Sequence, residues 1–125
     1  MSPESPVQAQ FEAYNSHDID AFMACFSDEF KGYRMPAESP STQGKHALRE
    51  FYVNHRFNIS ALRAELISRV VIGDKVFDRE LIYGLSPTPL ESMAVFHVQN
   101  DLIATAWFYF ASGFRAAQGD SRVSI

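Results

Sequence analysis

The chain is poor in the residues that usually announce a cofactor. Its only cysteine, Cys25, cannot close an internal disulfide and sits in no metal-ligand spacing, so it reads as a small buried hydrophobe in a protein of a reducing compartment. The four histidines, His17, His46, His55 and His97, have no paired ligand spacing, so neither a metal nor any other cofactor is expected. No basic run interrupts a chain with 15 acidic and 11 basic side chains and a net charge of −4, which argues against nucleic acid as a partner. Residues 1–6 hold no apolar leader core, and no stretch approaches the ~18 apolar residues of a membrane span. The expectation is a cytoplasmic protein that does not engage a membrane. Internal repeats and low-complexity tracts are absent as well.

What the chain does have is aromatic surface. Eleven Phe and five Tyr, in a chain 46% apolar and 21% charged, suit one globular domain of 125 residues. The expected division is an arm over 1–5, a domain over 6–110 and a weakly patterned tail over 111–125. Ser5, Pro6 and Gln8 form a helix start with a capping box, and Val7, Phe11 and Tyr14 follow at helical spacing. Residues 15–18 break that helix. Asp18 caps a second one striped by Ile19, Phe22, Met23 and Phe26. A short strand over 29–35 and a Pro- and Ser-rich loop over 36–42 lead to a third helix over 44–56, which shows Ala47, Leu48, Phe51, Tyr52 and His55.

The remainder reads as β. Strands 60–72 and 75–85 meet at Gly73-Asp74, and strands 91–99 and 102–110 meet at Asn100-Asp101, each a two-residue hairpin turn. Regular alternation then sets Arg69 opposite Asp78, Ile67 opposite Glu80 and Glu65 opposite Ile82 on one face, with Leu66, Val70, Phe77, Leu81 and Tyr83 on the other. In the second hairpin it groups Ala94, Phe96 and Val98 with Ile103, Thr105, Trp107 and Tyr109, and turns Met93, Val95, His97, Ala104 and Phe108 the other way. The fold class is α+β, three helices packed on a curved antiparallel sheet. Leu66, Val70, Phe77, Leu81, Val95 and Phe108 would leave the outer face apolar, which predicts a homodimer.

This element order, with the segment Tyr14–Asp20 and the run Gly44–Tyr52, resembles the NTF2-like superfamily, which includes ketosteroid isomerases, SnoaL-like polyketide cyclases and limonene epoxide hydrolases. The resemblance spans about residues 6–110 and implies a cystatin-like cone whose helices and concave sheet face enclose a ligand cavity. The run Arg49–Tyr52 is most similar to the isomerases. Aligned on Asn15 and Asp18, however, the isomerase oxyanion tyrosine falls on Gln10, the base on Arg34 or Met35, and the second oxyanion donor on Ala94 or Val95. None of these supplies a carboxylate base, so ketosteroid isomerisation is not implied. The same alignment turns Gln10, Phe51, Tyr52, Thr105, Trp107 and Tyr109 toward the cavity as ligand-binding residues, with His55 at its mouth.

The candidate chemistry lies with Glu80, Asp78, Arg69 and Tyr14. Asp78 and Glu80 are two apart on one strand and share a face, with Arg69 across from Asp78. Glu80 has no assigned cation, so burial would push its pKa up and suit it to proton exchange, with Asp78, Arg69 and Tyr14 orienting it. The arrangement resembles the acid-arginine-acid set of the epoxide hydrolases, although those residues occupy other strand positions. The implied partner is a small apolar molecule. Three functions fit: a SnoaL-like isomerase, cyclase or hydrolase, a ligand binder without chemistry, or an oligomerisation module. Core packing of the aromatics and an exposed Arg69–Asp78 pair are the plain structural alternatives.

Overall fold

The computed structural model describes residues 2–111. Nearly all of the expected 111–125 tail lies outside that range. Helix α1 covers Glu4–Ser16, α2 Ile19–Met23 and α3 Lys45–His55, while strands β1 to β6 cover Phe26–Arg34, Thr42–Gln43, Arg63–Ile72, Lys75–Tyr83, Leu90–Gln99 and Leu102–Phe110. The order across the sheet is β2-β1-β6-β5-β4-β3, antiparallel except where β1 runs parallel to β6.

Local chemistry explains most boundaries. α1 begins before Ser5, so the expected capping box does not form; instead the Glu4 N–H donates to Ser2 Oγ at 3.0 Å, and residues 4 and 5 are helical rather than part of an arm. Gln8 turns its amide to Glu12 at 2.9 Å. α1 stops at His17, whose φ is 57°, and Asp18 then caps α2 by accepting from the Ala21 N–H at 3.1 Å. α2 lasts little more than one turn, because Phe26 already starts β1. In the β3–β4 turn Gly73 has φ of 60°, and in the β5–β6 turn Asn100 and Asp101 have φ of 54° and 63°, so both hairpins use the short turns that match strand twist. Gly84, just past β4, has φ of 100°, and a Cβ there would meet the Ala61 backbone at 2.8 Å.

The registers carry two corrections, both caused by bulges. On β3, Leu66 pairs with Glu80 and Ser68 with Arg79, so Ile67 is the extra residue. Arg69 still meets Asp78, but Glu80 faces Leu66 instead of Ile67, and Glu65 faces Leu81 on the convex side, where it accepts from the Tyr83 hydroxyl at 2.9 Å. On β6, Ile103 pairs with Val98 and Thr105 with His97, so Ala104 is extra. An extra residue reverses which face every later side chain joins. Thr105, Trp107 and Tyr109 therefore stand on the convex face, while Ala106 and Phe108 join Ala94 and Phe96 in the core. Leu66 and Phe108 leave the expected outer set for the same reason. Val70, Phe77, Val95, Trp107 and Tyr33 oppose one another in a row across five strands of the convex face.

The helices cover the concave face. Phe22 stands at the centre of the aromatic packing, its ring 4.6 Å from Tyr52, 4.8 Å from Phe26 and 5.3 Å from Phe57. Burying one such ring contributes about 1.5–3 kcal/mol. α1 is fastened to the sheet edge through Asn15, whose amide accepts from the Ala64 N–H at 2.7 Å and donates to the Ala64 carbonyl at 2.9 Å.

Candidate functional site

Alternation along β4 sends Val76, Asp78, Glu80 and Ile82 to the concave face, all buried. The two acids there meet different surroundings. Asp78 is fully buried and receives two hydrogen bonds from Arg69, from Nε at 2.7 Å and Nη2 at 2.9 Å. The Arg69 side chain, 9% exposed, also donates to Gln8 at 2.9 Å and lies 3.5 Å from Glu4, which ties the start of α1 to β3. The hydrogen bond to Asp78 raises the pKa of Arg69. This is the two-pronged geometry in which an arginine holds a buried carboxylate best.

Glu80 is 4% exposed, and among the described residues its carboxyl makes no hydrogen bond or ion pair. Its cross-strand neighbours are Leu66 and Ser92. Burial, helped by the charge of Asp78 and opposed by that of Arg69, pushes its pKa up to about 8. Close by, the Tyr14 hydroxyl is buried and, among the described residues, without a hydrogen-bond partner. Burial pushes both Tyr14 and Tyr52 above the ordinary phenol value, opposed in each case by the charge of the buried Arg56 and helped by that of Glu80. Burial thus favours the protonated form of all three groups.

These groups line one small cavity of about 20 Å³ between the helices and the sheet. Gln10 and Thr42 add polar lining; Phe22, Phe26, Phe30, Phe96 and Phe108 supply most of the rest. Such a space holds about one water molecule. Of the expected site residues, Tyr14, Gln10, Tyr52 and Glu80 meet at the cavity, and Arg69 with Asp78 stands beside it on the same sheet face. Gln10 spends its amide N–H on the Val7 carbonyl at 3.1 Å.

The other expected ligand contacts lie elsewhere. Phe51 packs against Tyr52 from outside the lining, and His55 is exposed beside Phe51, because both sit at the edge of the buried side of α3 that carries Leu48 and Tyr52. Thr105, Trp107 and Tyr109 are displaced to the convex face by the Ala104 bulge, where Trp107 stacks on Tyr33 at 6.2 Å. The lining residues that sequence reasoning missed are mostly phenylalanines. Phe22 and Phe26 are visible as a helical stripe, but a stripe alone does not show that it borders a cavity. No Cys, His, Asp and Glu cluster among the described residues could hold a metal ion, and no helix there is long and apolar enough to cross a membrane.

A curved six-stranded sheet with helices closing its concave side around an aromatic cavity defines a cystatin-like, NTF2-like α+β domain. Comparison with known proteins agrees: residues 7–106 match the SnoaL-like domain, and the chain belongs to that family. No curated protein matches it in sequence. Among solved structures, a cystatin-fold protein from Novosphingobium aromaticivorans is similar at 22% identity and TM-score 0.76, covering 86% of this chain and 97% of its own. A candidate polyketide cyclase from Sinorhizobium meliloti is 25% identical with TM-score 0.72, over 83% of this chain and 93% of that one. A computationally designed 17-OHP binder is 16% identical with TM-score 0.76, over 90% and 96%.

Proposed function

We propose that this protein is a SnoaL-like enzyme that transforms a small, largely apolar molecule by carboxylate acid-base chemistry of the isomerase, cyclase or hydrolase type. The observation that carries this is Glu80, a buried carboxyl at an aromatic cavity with no partner among the described residues. With a pKa of about 8 it holds its proton at neutral pH yet can release it. In a turnover Glu80 gives that proton to one substrate atom and recovers one from another atom or from water, so the proton count closes. Tyr14 orients the substrate, and the Arg69–Asp78 pair keeps β4 and its acid in place.

The cavity is narrow, so a substrate must displace aromatic rings that are held by packing alone. Mass spectrometry of a molecule that co-purifies with the protein would name the substrate class. On that substrate Glu80→Gln should lower the rate by ~10²-fold or more with the fold intact; an unchanged rate removes the proposal. A Glu80 pKa near 4.5 in a carboxyl NMR titration would remove its physical basis.

A second reading is a binder without chemistry, which the similarity to a designed binder favours. Glu80→Gln would then leave ligand affinity nearly unchanged and there would be no turnover to lose. In either case we propose a homodimer through the convex row of Val70, Phe77, Val95, Trp107 and Tyr33, a continuous apolar surface that a second copy can cover. Light scattering that finds a monomer at tens of micromolar protein would overturn it.

A further inference from the structure

Every described residue that lines the cavity is buried except Phe11, whose half-buried ring touches both the cavity and solvent. The other aromatic rings of the lining pack on one another, as Tyr14 does on Tyr52 (6.4 Å between centroids), Phe22 on Phe26 (4.8 Å) and Phe96 on Phe108 (6.3 Å). Phe11 has no such ring neighbour among the described residues. The helix that carries it is fixed on both sides of it, because Gln8 accepts from Arg69 Nη1 at 2.9 Å and Asn15 exchanges two hydrogen bonds with Ala64. Val7, one turn before Phe11, is fully buried. Freedom at this place therefore belongs to the side chain and not to the helix. A helical phenylalanine has two low-energy χ1 settings, at about 180° and about −60°, and a swing between them moves the ring while the backbone stays where it is.

We propose that the Phe11 ring is the gate of this cavity, which closes it against solvent and swings outward to admit a ligand. The inference rests on the reading above in taking the cavity as the place of binding, and adds the route by which a molecule reaches it. An opening at Phe22 would break its ring contacts with Tyr52, Phe26 and Phe57, whereas Phe11 has no ring contact to break among the described residues. Part of the Phe11 ring is in water already, so the swing exposes only the remainder. A gate acts on entry and exit alike, because the molecule passes it in both directions, and so it leaves the equilibrium between free and bound nearly unchanged. A wall residue that only touches the ligand acts mainly on the dissociation rate. That difference separates the two roles.

The test uses toluene, a flat neutral probe, titrated by NMR into the full chain, with association and dissociation rates taken from the line shapes. Phe11→Ala should speed both rates about tenfold or more and shift Kd by less than about threefold. The bulkier ring of Phe11→Trp should slow both. Phe96→Leu alters a ring held inside the wall, so it should act through dissociation and leave association within about twofold of the wild type. Three-bond couplings of the β-protons need no ligand: those of Phe11 should average over two χ1 settings, while those of Phe22 report one. This readout decides the matter by itself if toluene binds too weakly to follow. An association rate that Phe11→Ala leaves unchanged, a Phe96→Leu variant that speeds entry as much, or a single fixed χ1 at Phe11 would each overturn the inference. Glu80→Gln separates it from the reading above: an unchanged rate on the true substrate would remove the acid-base role, while toluene entry as fast as in the wild type would leave the gate standing.

Discussion

Two ends of one sheet face treat the same functional group in opposite ways. At the Arg69 end, Asp78 is fully buried and held by two hydrogen bonds from the guanidinium, which itself reaches Gln8. At the cavity end, Glu80, two residues further along β4, is nearly as buried and held by nothing among the described residues. The difference comes from the opposite strand. The Ile67 bulge places Leu66, not a cation, across from Glu80, while Arg69 stays across from Asp78. One end is a structural fastening, and the other holds a carboxyl whose pKa burial pushes up. Burial alone does not decide the role of a carboxyl; the partner across the strand does.

The largest expected effect comes from breaking the fastened end. Arg69→Met should destabilise the protein by about 3–5 kcal/mol in urea denaturation, because it strands the Asp78 charge where no solvent reaches it. Adding Asp78→Leu should recover most of that loss, since an apolar pair is tolerated where a lone charge is not. If the single and double variants unfold alike, the pair is not the fastening described here.

The cavity end should show itself in pH dependence. The folded pKa of Glu80, about 8, lies above its ordinary value of 4.5, so the folded state holds a proton that the unfolded state has released between those values. Stability therefore falls as pH rises from about 4.5 to about 8 and levels off above that, a cost on the order of a few kcal/mol. Glu80→Gln should abolish this slope and be the more stable protein at pH 9. Denaturation curves at several pH values check both points, and a wild type with no downward slope in this window would show the two ends to be alike.

The smallest effect belongs to Tyr14. Its hydroxyl lacks a partner among the described residues, so Tyr14→Phe should leave the melting temperature unchanged or raise it by an amount worth about 1 kcal/mol or less. A clear loss of stability would mean that the hydroxyl is bonded in solution, and would blur the contrast between the open and the fastened end.

Sequence periodicity is enough to read the three helices, the strands of both hairpins with their turns and the Arg69–Asp78 pairing, though not the short β2 at Thr42–Gln43, because these depend on local residue types and on counting from a turn. The same counting fails beyond Ile67 and Ala104. An extra residue in a strand leaves no mark in its composition: Ala104 and Ile67 look like ordinary strand residues, yet each reverses the parity of every position farther from its hairpin turn. Regular alternation therefore sends Thr105, Trp107 and Tyr109 to the cavity and Phe108 to the surface, and the fold reverses both. Glu80 keeps its face because β4 itself runs without interruption from its turn. The helical residues divide differently: Gln10, Tyr14 and Tyr52 lie on the buried sides of their helices, whereas Phe51 and His55 sit just past the edge of the buried side of α3.

The two hydrogen bonds between Asn15 and Ala64 have a consequence for solubility. β3 is the last strand of the sheet, and its outer edge offers unpaired backbone groups to any other extended chain. The Asn15 amide, with one donor and one acceptor, imitates the peptide group of a neighbouring strand and so occupies the edge at Ala64. Further along, Val70, Val71 and Ile72 are 53%, 41% and 63% exposed, which makes that half of the strand adhesive. With its donor and acceptor at Ala64 already filled, the edge cannot be extended by an incoming strand through that residue. The one asparagine thus does for the β3 edge at Ala64 what a neighbouring strand would do.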